Sequence, residues 1–148
     1  MPDKLIVADS ITNIFNISDT IGAVMVGNMN DARIMVTQIR NIAAQFKYDN
    51  QYEIPVPVLA QRMGNELQRY SQRAGIRPFC CMITLVGCDE EFGPQVYKID
   101  PSGSAIGYKA VATGTKEQKD GKSKVEKENK GVNTAKVKAD ARASEKLN

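Results

Sequence analysis

Ten consecutive residues, Phe79 to Cys88 (FCCMITLVGC), are apolar on both side-chain parities. Cys80, Met82, Val86 and Cys88 fall on one, Phe79, Cys81, Ile83 and Leu85 on the other, and Thr84 is the one polar side chain. Successive side chains of a strand point to opposite faces, so a strand of this composition is expected to be covered on both sides. The chain is therefore predicted to pack layers on each face of this segment.

The neighbouring sequence extends the strand into a sheet. "DEEFGP" reads as a turn, and "QVYKI" (95–99) returns as the second arm of a hairpin. Asp100-Pro101-Ser102-Gly103 has the residues a type I turn favours at its first, second and fourth positions, and "AIGYKAVATG" (105–114) follows as a further strand. Upstream, residues 11–17 (ITNIFNI) and 20–27 (TIGAVMVG) read as two short strands joined at Ser18-Asp19.

Between these strand groups the period changes from two to 3.6. Asn28, Asn30 and Asp31 offer oxygens that can accept from the free N–H groups of a first helical turn. Ala32, Met35, Val36, Ile39, Ala43 and Phe46 then form one helix face over 30–47. Pro55 and Pro57 interrupt the helix. A second helix, 56 to about 74, carries the stripe Val56, Leu59, Ala60, Met63, Leu67 and Tyr70, with Gly75 at the place of a C-terminal cap. The predicted order is ββ, αα, βββ, without internal repeats, which makes the chain α+β.

Charge divides the chain at about residue 114. Up to Gly114 there are ten Lys/Arg and eleven Asp/Glu; residues 115–148 hold ten basic and six acidic residues. The second part has no aromatic residue and few large aliphatics, so it cannot bury enough apolar surface to offset its ordering entropy. Residues 1–114 are expected to form the folded domain and 115–148 a charged, low-complexity, disordered tail.

Several function classes are disfavoured by the same residues. The start MPDKLIVADS has no secretory pattern and the longest apolar run is far short of the ~20 residues that span a bilayer, so a soluble, intracellular protein is expected without membrane partners. With no histidine, Ser-His-Asp and Cys-His mechanisms are excluded. Three cysteines without a C-x-x-C pair suggest neither a disulfide framework nor a zinc site, and Cys80-Cys81 read as buried, inert thiols. Asp89, Glu90 and Glu91 fan outward as a solvated turn. Gly121-Lys122-Ser123 lacks the glycine five residues earlier that a phosphate loop needs, Lys116 standing there instead. Interleaved acids and the lack of aromatics argue against nucleic-acid binding by the lysine-rich tail.

The sequence "EIPVPVLAQRMGNELQRYSQRAGIRPF", running into "GCDEEFGPQVYKIDPSGSAIGYKAVATGTK", resembles the middle of a proteasome alpha-type subunit, and "PDKLI" and "GNMNDAR" upstream agree. The likeness covers about residues 2–118 and is colinear. Beta-type members share the fold and the Asp-Pro-x-Gly turn; Gln68, Tyr70, Ser71, Gln72 and Arg73 leading into Arg77-Pro78-Phe79 favour the alpha type.

The resemblance implies a four-layer αββα sandwich of the N-terminal nucleophile hydrolase kind, incomplete here because family members extend beyond both ends of the matched part, so that two incomplete sheets are expected. It implies a non-catalytic component of the outer ring of the core particle, in the cytoplasm and nucleus, contributing to ring assembly and ubiquitin-dependent protein degradation. Other alpha-type and beta-type subunits would be the partners, with helix 30–47 toward the inner ring and helix 56–74 beside it. No catalytic, cofactor-binding or metal-binding residue and no cofactor is expected. Asn13 stands where many members have the lysine that holds an activator's terminal carboxylate, so docking there is not expected, and Cys80 replaces a usual glycine. The rival readings are a beta-type threonine protease processed to Thr12 or Thr20, and a truncated gene product without function of its own.

Overall fold

The computed structural model describes residues 12–89 and 91–114. Within them the order is β1 (Ile14–Asn16), β2 (Ile21–Gly27), α1 (Met29–Asn50), α2 (Val56–Gln72), β3 (Cys81–Asp89), β4 (Gly93–Ile99) and β5 (Ala105–Tyr108). The predicted alternation of strands and helices is thus present, and the tail beginning at residue 115 lies outside the described residues.

All five strands join one antiparallel sheet in sequence order, β1-β2-β3-β4-β5. Register is set by burial: Ile21, Ala23 and Met25 of β2 and Cys81, Ile83 and Leu85 of β3 are buried on one face, with Met25 opposite Ile83 and Ala23 opposite Leu85. A slip of one residue would move all six to the other face. Both helices lie on that face, α1 against β2 and β3, α2 against β3, β4 and β5.

The helix stripes read from the sequence are the buried ones. Ala32, Met35, Val36, Ile39, Ala43 and Phe46 of α1 and Val56, Leu59, Ala60, Met63 and Leu67 of α2 form the core with the sheet, and Tyr70 lies half-buried at its margin. Helix starts follow local chemistry: Asn28 Oδ1 accepts from Asn30 N at 3.0 Å, and Pro57 occupies the first turn of α2, where a missing N–H costs nothing. Their ends differ from expectation. α1 runs on to Asn50 and is closed by Gln51 in the left-handed region, whose N–H donates to Lys47 O, rather than by Pro55. α2 stops at Gln72 because Arg73 is extended, and Gly75 takes its positive φ two residues later.

The turn Asp100–Gly103 is closed by Gly103 N donating to Asp100 O at 2.9 Å. It sits so tightly on α2 that a Cβ on Gly64 would lie 2.6 Å from Gly103 O, so only glycine fits there.

Two expectations are met in part among the described residues. Among the described residues β3 is fully covered on one face only, by the helices; on the other Thr84 is buried, Met82 and Val86 are half-buried and Cys88 is exposed. There are not two incomplete sheets among the described residues. One five-stranded sheet carries one layer of helices, because the two α-helices fall between β2 and β3 and pack on the same side.

Candidate functional site

The residues singled out for chemistry prove to be locally engaged or dispersed. Cys81 is buried, and burial, with Asp31 and Cys80 nearby, pushes its thiol up to about 11, so it stays protonated at neutral pH. Cys80 and Cys88 are exposed, which corrects the reading of Cys80-Cys81 as a buried pair: Cys80 precedes the strand, and Cys88 points to the face opposite the helices. All three thiols are free.

Asp89 Oδ1 accepts from Glu91 N at 3.3 Å, a local turn contact, and Glu90 and residues 121–123 lie outside the described residues. No group of three or more His, Cys, Asp or Glu gathers as a metal site among the described residues. Nor is any helix among them long and apolar enough to cross a membrane. Thr12 Oγ1 bonds to Ile14 O and N at 3.0 and 3.1 Å, opening β1 rather than facing a base. Thr20 is exposed between β1 and β2, its carbonyl accepting from Cys88 N. Asn13 is exposed, and its carbonyl accepts from Met25 N.

The strongest electrostatic feature had no signal in the sequence reading. Asp31, in the first turn of α1, is 2% exposed and takes a two-pronged contact from Arg77: Nη1 donates to Oδ2 and Nη2 to Oδ1, both at 2.7 Å. Oδ2 also accepts from Cys80 N at 3.0 Å. The Arg77 bonds first, and the Cys80 N–H second, hold the carboxyl down to about 2 against the opposing effect of burial. A planar guanidinium on a carboxylate is a directional, charge-assisted pair. Here it ties the segment leading into β3 to the start of α1. With Arg77 four residues and Cys80 one residue before Cys81, this clamp fixes where the sheet's central strand begins. The arrangement offers rigidity and carries no nucleophile or general base.

The other feature is the sheet face opposite the helices. By register, Ile14, Val24 and Thr84 form one cross-strand row with Lys98 and Ile106, and Val86, Val96 and Tyr108 another. Val26 and Met82 pair beside them. Thr84 is buried because the chain after β5 turns across this face, bringing Thr113 Oγ1 to 2.9 Å from Thr84 Oγ1. Ile14, Ile106 and Tyr108 at the margins remain exposed. A contiguous apolar sheet surface of this kind is the mark of a packing interface.

Comparison with known proteins bears on what would pack there. A family profile described as "Proteasome subunit" matches residues 1–137. The chain is 47% identical over 117 residues to "Probable proteasome subunit alpha type-1" of Schizosaccharomyces pombe, covering 79% of this chain and 48% of that protein. It is 38% identical over 117 residues, with the same coverage, to "Proteasome subunit alpha type-6" of Caenorhabditis elegans. An archaeal relative, "Proteasome subunit alpha" of Saccharolobus islandicus, is 33% identical over 111 residues, 75% of this chain and 46% of its own. The chain spans about half the length of the curated relatives it matches.

Proposed function

The chain belongs to the proteasome subunit family, and from that premise we propose that it acts as an alpha-type, non-catalytic component of the outer ring of the core particle. The observation that carries this reading is the run of alpha-type relatives over the matched region, from fission yeast to an archaeon. The local engagement of Thr12 and the structural use of Asp31 fit a scaffolding role.

In this reading the sheet and its two helices are two layers of an αββα sandwich. The apolar face that holds Val24, Val86 and Val96 is then the surface on which the second sheet of the family fold packs. The partners are other alpha-type and beta-type subunits, the setting is cytoplasm and nucleus, and the process served is ubiquitin-dependent protein degradation. We place the chain at the first ring position, the type six subunit; the fission yeast and nematode relatives carry the names type-1 and type-6.

The test is co-sedimentation. Epitope-tagged chain expressed in cells is expected to migrate with intact core particles and to co-purify other alpha-type subunits. Recovery solely as a free monomer, with no proteasome subunit alongside it, overturns the reading.

A further inference from the structure

The outer edge of β5 combines unpaired backbone groups with a polar cleft beside it. Asp100 N donates to Ser104 O at 2.9 Å, which makes Asp100 and Ser104 a hydrogen-bonded pair in the β4–β5 register. Antiparallel pairs alternate, so Ile106 and Tyr108 bond inward to β4, whereas the N–H and C=O groups of Ala105 and Gly107 point away from the sheet. β5 is the last strand of the sheet, and these outward groups have no strand partner among the described residues.

Ala105 and Gly107 also face the helix side, since they stand opposite Ile99 and Tyr97. There a cleft of about 330 Å³ is lined by Pro57, Gln61 and Asn65 of α2, Tyr97 of β4, and Gly103 and Ala105. The Tyr97 ring passes over Gly107, where a Cβ would come within 3.3 Å of it. The amides of Gln61 and Asn65 and the Tyr97 hydroxyl enter no hydrogen bond among the described residues. The walls are fixed, because the Gly103 turn is seated against Gly64 of α2. Gln61 and Asn65 are one helical turn apart, a rise of about 6 Å, close to the roughly 6.8 Å between same-face residues of a strand.

We propose that β5 is a strand-addition site for an extended segment of a partner chain, which pairs with Ala105 and Gly107 and places a neutral amide side chain, Asn or Gln, in the adjoining cleft. A residue paired directly with Ala105 or Gly107 projects to the same face as they do, over two positions that present almost no side chain. Main-chain bonds supply attachment and the cleft supplies selectivity. The lining carries no charged group, so a Lys, Asp or Glu brought there loses hydration without a counter-charge. A phenyl ring strands the two amides and the phenol. The inference stands apart from the ring assignment and rests on the sheet edge and the cleft beside it.

The test uses the full chain and three end-capped heptapeptides, TVSNSVT, TVSKSVT and TVSFSVT. Binding of the first is expected to slow amide hydrogen exchange at Ala105 and Gly107 while leaving Ile106 and Tyr108 unchanged, with the Lys and Phe peptides about tenfold weaker. Ala105→Pro, at a strand-start position that tolerates proline, removes one outward N–H and is expected to abolish binding. Gln61→Ala combined with Asn65→Ala, both on the exposed side of α2, is expected to keep the fold and erase the preference for Asn. Absence of slowed exchange at Ala105 and Gly107, or equal binding of all three peptides, overturns the proposal. So does protection at those amides that rises with protein concentration alone, which would make a second copy the occupant.

Discussion

Asp31 shows how one residue can be read correctly in type and wrongly in use. Its place after Asn28 suggested helix-start chemistry, yet Asn28 caps the helix and Asp31 is committed to Arg77, 46 positions away. No periodicity or spacing in a single sequence marks such a pair, because it is created by the sheet register that brings Cys80 beside Asn28. Asp31 titrates at about 2 against an ordinary 3.8, so its contribution is present above pH 4 and is lost as pH falls toward 2. Thermal melts of the parent chain should drop over that interval. Asp31→Asn should melt lower at pH 7 and show a shallower acid limb. The thiols give a second check at this scale. Maleimide at pH 7 should modify Cys80 and Cys88 in the native chain, with a third adduct at Cys81 appearing in mass spectra only after denaturation.

At the level of elements, periodic segments were legible and their ends were not. The apolar stripes of both helices and the strand parities were readable because burial imposes a period on the sequence. The stops were missed because Gln51 in the left-handed region and Arg73 in an extended one are unusual choices without a residue signature. Packing between elements gives its own predictions. Leu59→Ala, in the first turn of α2 and fully buried, should cost about 2–5 kcal/mol in urea unfolding. Gly64→Ala should cost about 1–3 kcal/mol, since its Cβ would meet a backbone carbonyl that cannot swing aside as a side chain would. Asn28→Ala should cost about 1 kcal/mol, the usual worth of an N-cap.

For the molecule as a whole, the two-sided apolar character of residues 79–88 was read correctly as a demand for two coverings, and the described residues contain one. The sequence could not reveal that the strands would all join one sheet, since nothing in a strand's own residues says which sheet it enters. The sheet face opposite the helices, not the helix side, should govern association. Val24→Lys with Val86→Lys, on that face and half-buried, should reduce concentration-dependent self-association in sedimentation velocity and weaken binding of an apolar dye. Ile34→Lys, on the exposed side of α1, should leave both unchanged.

Strand order that follows chain order has a kinetic meaning. Three of the four strand pairings join sequence neighbours across a short turn, while β2 and β3 meet only after both intervening helices have been accommodated. Loop-closure entropy therefore concentrates at that one joint. The Asp31–Arg77 clamp and the Asn28 N to Cys80 O bond sit at its edge. Holding that joint closed, they are expected to slow its opening, so Arg77→Ala should speed unfolding in stopped-flow measurements and should slow refolding as well only if the clamp forms before the barrier is crossed.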